Sequence, residues 1–134
     1  MKLTKKDAET VAKALEFKDG LVTAVVRDFR TKDVLMVAFQ NRDAVMKTLT
    51  KGTMYYWSRS RKKLWLKGEV SGHVQKLMSV RVDCDGDAIL YDVKQVGASC
   101  HMGYFSCFYR KIRGGRLVTF MKKKFNPEDV YGKG

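Results

Sequence analysis

From Thr53 onward the chain is a succession of short strand-like runs, "TMYYWS", "KLWLKG", "VQKLMSVRVD", "AILYDVKQV", "CFYRKI" and "RLVTFMK", separated by glycine-containing or charged turns. Runs this short and this close together confine the second half of the chain to sheet. Upstream, "LVTAVVRDF" and "DVLMVAF" flank the polar turn "RTKD" and read as a hairpin. Lys5 to Phe17 places Val11, Ala14 and Leu15 at helical spacing. A second helix, "RDAVMKTLT", has Asn41 as its N-cap and Gly52 as its stop. The expected class is therefore β-rich with two short helices. The only proline, Pro127, lies in the tail "KKKFNPEDVYGKG", and no repeat, linker or low-complexity tract divides the chain. Residues 1–134 read as one domain, and 45% hydrophobic content suffices for a core without disulfides.

No apolar run approaches the roughly 20 residues of a membrane-spanning helix, and "MKLTKKDAET" lacks the apolar stretch of a secretory signal. The expectation is a cytoplasmic protein without a membrane partner. Cys84, Cys100 and Cys107 are then free thiols or metal ligands. The formal charge of +13 attracts polyanions, either nucleic acid or phosphorylated small molecules, unless it is only a solvated, highly charged surface.

Within "SVRVDCDGDAIL" the alternation of an extended strand would put Asp83, Asp85 and Asp87 on one face, about 6.5 to 7 Å apart, with Cys84 pointing the other way. Three like charges on one face repel unless water bathes them, as in an exposed acidic turn around Gly86, or a cation compensates. A hard, oxygen-seeking ion such as Mg²⁺ suits them. The order of ligands and the closing Glu of an EF-hand are missing. The cysteines are spaced by 16 and 7 residues, which matches no Cys-x-x-Cys zinc finger. They are either small buried hydrophobes or three thiolates that leave a tetrahedral Zn²⁺ one position for water, substrate or a histidine such as His101. An open position is the mark of a catalytic zinc, which lowers the pKa of a bound water towards ~7.

Between these candidates, "YYWSRSRKKLWLKGEVSGHVQ" supplies Trp57, Ser58, Arg59, Ser60, Arg61, Lys67, Ser71, Gly72, His73 and Gln75. An aromatic face, cations and hydrogen-bonding groups suit a phosphorylated aromatic ligand. Arg59 and Arg61 would alternate onto one strand face and grip phosphate, while Gly68 and Gly72 would admit backbone N–H groups to it. The plainer reading is a basic loop beside ordinary core aromatics.

In this order, "YYWSRSR", "LWLKGEVSGHVQ", "VDCDGDA" and "SCHMGYFSCFYR" resemble the phosphoribosyl-AMP cyclohydrolases of histidine biosynthesis, over about Leu21 to Ile112. The ending "FNPEDVYGKG" is similar to archaeal members, and the length implies that the pyrophosphohydrolase domain fused to some relatives is absent. The resemblance implies a mixed-sheet pseudobarrel in an intertwined homodimer. It implies Mg²⁺ on Asp83, Asp85 and Asp87, and Zn²⁺ on Cys84, Cys100 and Cys107 drawn from both partners. Met102 departs from the Thr more usual in the family's "CHTG", which touches only local packing or substrate contact.

The implied reaction is hydrolysis of the N1–C6 bond of the adenine ring of 1-(5-phosphoribosyl)-AMP. N1 substitution places positive charge in the ring and makes C6 electrophilic. His101, beside a ligand, is the expected proton shuttle and His73 the second choice, because imidazole titrates near neutral pH; either would otherwise be a metal or phosphate contact. The substrate's two phosphates would meet Mg²⁺ and Arg59, Arg61, Lys67 and Arg110. A small zinc-dependent nucleic-acid-binding module would account for the charge and for "YYWSRSRKKLW", but not for three carboxylates that repel a phosphate backbone. A nucleoside deaminase would need His-x-Glu and Pro-Cys-x-x-Cys, which are missing.

Overall fold

The computed structural model describes residues 1–131, so the last three residues of the ending "FNPEDVYGKG" lie outside it. Helix α1 (Lys5–Lys13) begins at Thr4, whose side chain accepts from the Asp7 N–H. It ends earlier than the expected Phe17, because the chain turns after Ala14 so that the Glu16 N–H donates to the Gly86 carbonyl at 2.8 Å. Strands β1 (Val22–Asp28) and β2 (Val34–Gln40) form the expected antiparallel hairpin. Helix α2 (Arg42–Lys51) has the expected ends: the Asn41 side chain accepts from the Ala44 N–H at 2.9 Å, and Gly52 closes it at φ 77°. Glycine is required there twice over, since a Cβ would lie 2.7 Å from the Met1 carbonyl oxygen.

The later runs form β3 (Tyr55–Ser58), β4 (Lys63–Leu66), β5 (Gln75–Val82), β6 (Ala88–Gln95), β7 (Arg110–Arg113) and β8 (Arg116–Thr119). One element was not expected: α3 (Pro127–Tyr131) occupies the proline-bearing tail. Proline suits a first helical position, and the Asn126 side chain accepts from the Glu128 N–H. Five residues are too few to show a helical period.

Four strands form a mixed sheet in the order β2-β1-β6-β5, with β1 and β6 parallel and the other pairs antiparallel. The mixed sheet and short helices agree with the expected class. The four-stranded sheet is open, with β2 and β5 as its edge strands. Burial alternates cleanly along β1, where Val22, Ala24 and Val26 face the core. They meet Leu35, Leu77, Ile89, Tyr91 and Val93 of the neighbouring strands, Val45 and Leu49 of α2, and Tyr56 of β3. The β7–β8 hairpin stands apart from this core with every residue exposed. Among the described residues no helix is long and apolar enough to cross a membrane.

Candidate active site

The loop after β6 carries Cys100 and Cys107. Cys100 is buried, its N–H donating to the Tyr104 carbonyl, and Cys107 is anchored by its N–H to the Leu35 carbonyl at 2.7 Å. These two bonds fold the loop so that the thiols lie beside each other, with the Ser99 hydroxyl 4.0 Å from the Cys107 sulfur. Desolvation of its sulfur pushes the Cys107 thiol up, and the neighbouring Cys100 adds to this; Ser99 and the Lys67 ammonium pull the other way. Cys107 opens onto a cavity of about 290 Å³ shared with Met36, Trp65, Lys67, Glu69, Ser71 and His101. The sequence reading missed Met36, Trp65 and Glu69. The aromatic wall is Trp65, held against Tyr56 with ring centroids 5.0 Å apart, whereas Trp57 pairs with Leu64 in the β3–β4 hairpin and does not line this cavity.

A buried polar chain supports the loop from behind. Tyr56 Oη donates to Gln75 Oε1, and Gln75 Nε2 reaches Gln95 Oε1 at 2.8 Å and the Ser99 hydroxyl at 3.5 Å. Gln75, expected to touch ligand, is instead fully buried with its amide engaged inside the protein. Lys67 also departs from its expected place on a phosphate: its ammonium donates to the Ser99 carbonyl at 2.5 Å. Burial pulls its pKa down, and the two thiols oppose that shift.

The two histidines occupy different surroundings. His101 is exposed at the cavity, in the turn between the cysteines. The His73 ring is wedged edge-on against Phe125, centroids 4.7 Å apart, and over Gly97, where a Cβ would meet the ring at 2.7 Å. Its Nδ1 faces the Ala98 N–H at 3.5 Å. Ser71 lines the cavity and its hydroxyl accepts from the His73 N–H at 3.1 Å; Gly72, at φ 77°, has open space around it.

The acidic segment is not the two-faced strand that alternation implied. β5 ends at Val82 and β6 starts at Ala88, so Asp83 to Asp87 form the turn between them. Gly86, at φ 75°, makes the reversal, and its carbonyl accepts from the Glu16 N–H in the segment after α1. The turn gathers the carboxylates more tightly than a strand would: one oxygen from each of Asp83, Asp85 and Asp87 lies within 4.8 Å of the others. Asp85 is raised by its contact with Asp87 and its acidic neighbours, while Asp87 is lowered chiefly by Lys18, whose ammonium is 3.1 Å away. Convergent hard oxygen donors fit a divalent cation such as Mg²⁺, and the paired soft sulfurs fit Zn²⁺.

Cys84 belongs to the acidic turn, at the opposite end of the β5–β6 hairpin from Cys100 and Cys107. β6 spans Ala88 to Gln95, roughly 23 Å at about 3.3 Å per residue. Two sulfurs on one zinc lie no more than about 4.6 Å apart. One chain therefore brings two cysteines together and not three.

Arg59 and Arg61 do not share a strand face, because β3 stops at Ser58 and both lie in the turn to β4. Arg59 stacks on Phe39, 4.1 Å from its centroid, near Asp87, whereas Arg61 opens beside Ser58, Lys63 and Trp65. Arg110 starts β7 with its guanidinium over Tyr109. A larger cavity of about 620 Å³ is lined by Phe105 and bordered by Arg30, Lys94, Lys122 and Lys124. These cations are scattered along the sequence, so only folding collects them.

The family model for phosphoribosyl-AMP cyclohydrolase matches residues 36–109. A phosphoribosyl-AMP cyclohydrolase of Methanosarcina acetivorans is 51% identical over 117 residues, covering 87% of this chain and 95% of the relative. That of Methanothermobacter thermautotrophicus is 54% identical, covering 87% and 86%. That of Prosthecochloris aestuarii is 52% identical over 133 residues, covering 98% and 94%. Identity above one half over 87% or more of the chain, together with the family-model match, means that this chain belongs to the phosphoribosyl-AMP cyclohydrolase family.

Proposed function

We propose that the protein is a cytoplasmic enzyme of histidine biosynthesis that hydrolyses the N1–C6 bond of the adenine ring of 1-(5-phosphoribosyl)-AMP. It uses Zn²⁺ at the cysteines and Mg²⁺ at Asp83, Asp85 and Asp87. The observation that carries this reading is the paired thiols of Cys100 and Cys107 opening onto a cavity, in a chain of this family. Zinc, when bound, supplies the Lewis acidity that makes a water nucleophile available near neutral pH.

The residues of the chain do the rest. Trp65 offers a flat wall to the purine, and N1 substitution leaves C6 electron-poor. Water oxygen adds at C6, the N1–C6 bond breaks, N1 takes the proton and the exocyclic amine stays. His101, exposed at the cavity, is placed to move that proton, whereas His73 buttresses the loop. The two phosphates of the substrate have cations to meet in the basic borders of the neighbouring clefts.

Two observations favour a homodimer in which Cys84 of one copy completes the thiol site of another. The first is the separation of Cys84 from Cys100 and Cys107 along the β5–β6 hairpin. The second is the β7–β8 hairpin, whose Ile112 and Leu117 are 79% and 63% exposed. A lone two-stranded hairpin is marginal in water, and large exposed apolar side chains mark a contact surface.

The test is to incubate zinc- and magnesium-loaded protein with phosphoribosyl-AMP and follow ring opening by absorbance, beside Cys107→Ala, His101→Ala and His73→Ala. We expect turnover by the parent, none by Cys107→Ala, and a kcat for His101→Ala about 10²-fold or more below the parent. An inactive zinc-replete parent would sink the enzyme reading.

A further inference from the structure

We propose that Lys67 is a positioning residue for the cysteine site: its ammonium clamps the Ser99 carbonyl and sets a fixed positive charge beside Cys100 and Cys107. It is not a phosphate contact. This inference rests on the zinc reading above and deepens it.

The geometry is specific. Lys67 follows β4 and is held by its own N–H to the Met54 carbonyl at 3.0 Å, so the root of the side chain is fixed. Its Nζ then crosses to the loop after β6 and donates to the carbonyl of the residue preceding Cys100. Ser99 is held from two sides, by Lys67 at its carbonyl and by Gln75 at its hydroxyl, and the same hydroxyl lies against the Cys107 sulfur. Through Ser99 the ammonium therefore orients both thiols. Among the described residues no carboxylate lies within ion-pair distance of Lys67.

Charge gives the second argument. A half-buried ammonium without a carboxylate partner is costly unless another anion faces it. Three thiolates around a divalent ion leave a net charge of about −1, itself costly in a site lined by Met36 and Trp65. The two costs offset each other when the ammonium stands beside the thiolates. A lysine used in this way is not free to follow a phosphate into solvent. Outer partners that orient metal ligands typically change metal affinity by about 10- to 100-fold when removed.

The experiment uses the full-length protein with Lys67→Gln, which keeps a donor but loses the charge, and Lys67→Arg, which keeps the charge. Zinc affinity is read by competition with a chromophoric chelator, and ligand geometry from the thiolate-to-cobalt charge-transfer bands of the Co²⁺-loaded protein. KM and kcat are measured alongside. We expect Lys67→Gln to bind zinc at least about tenfold more weakly with displaced cobalt bands, and Lys67→Arg to stay within about threefold of the parent. Parental zinc affinity and an unshifted cobalt spectrum in Lys67→Gln, with only KM raised, would overturn the inference and restore the phosphate role. Should Lys67→Gln not fold, Lys67→Arg decides: parental affinity and bands support the inference, and a tenfold loss refutes it. A parent with no thiolate-to-cobalt bands would remove the zinc reading itself, which is a distinguishable failure.

Discussion

Mixing two inactive chains is the sharpest test of how the thiol site is assembled. A Cys84→Ala chain retains Cys100 and Cys107; a Cys100→Ala chain retains Cys84. The ends of β6 lie roughly 23 Å apart, whereas sulfurs on one zinc are within about 4.6 Å, so neither chain completes a three-thiolate site alone. In a heterodimer the intact pair of the first chain meets the intact Cys84 of the second, and the other site has lost ligands from both. With two differently tagged chains co-expressed and purified through both tags, the expected content is about one zinc per heterodimer, against about two for the parent dimer and near zero for either variant homodimer. Turnover per dimer should be about half the parental value, since the symmetric sites act alike. The assay is metal analysis by mass spectrometry on the doubly purified species, with kcat measured on the same sample. A heterodimer with no more zinc than the variant homodimers would refute ligation across subunits, and failure to recover any heterodimer would refute the dimer.

Three further predictions concern the rest of the molecule. Asp85→Ala should weaken the magnesium requirement while zinc content stays near parental, because the carboxylates form their own turn; equal loss of both metals would refute separate sites. Ile112→Lys with Leu117→Lys should shift sedimentation towards the monomer and lower zinc content, and an unchanged dimer would show that the β7–β8 hairpin is not part of the contact. Asp92, nearly buried and paired with Arg27 and Lys32, is held down at about 2, chiefly by its bond from Arg27. Its carboxylate is thus favoured in the folded state relative to an unfolded value of about 3.9, a contribution of about 2 to 3 kcal/mol present above pH ~4 and lost as the pH falls towards ~2. Asp92→Asn should cost that much in urea unfolding at neutral pH and fixed protein concentration, with the difference vanishing near pH ~2; a pH-independent difference would reject the ion-pair explanation.

Much of the fold is legible in the chain because its causes are local. Alternation over "LVTAVVRDF", the Asn41 cap and the Gly52 stop act within a few residues, and each element stands where they place it. The acidic turn illustrates the boundary. Three aspartates close in sequence must end close in space, so their convergence follows from the sequence. Whether they converge along a strand face or around Gly86 depends on where β5 and β6 stop, and the tie from Glu16 to Gly86 comes from the segment after α1, far upstream in sequence. In the same way Arg59 and Arg61 alternate on paper, but the β3–β4 reversal sends them to different clefts.

By itself the sequence determined the β-rich class, the early hairpin, the capped second helix, the closeness of the three aspartates and the family. Only the tertiary structure decided that Cys100 and Cys107 pair while Cys84 stays at the far end of the hairpin, that Lys67 turns inward to Ser99, and that Trp65 rather than Trp57 walls the cavity. The physical reason is range. Periodicity, caps and turns are short-range effects written in neighbouring residues, whereas these placements follow from sheet order and strand direction, which bring together groups tens of residues apart and leave others at opposite ends of one strand.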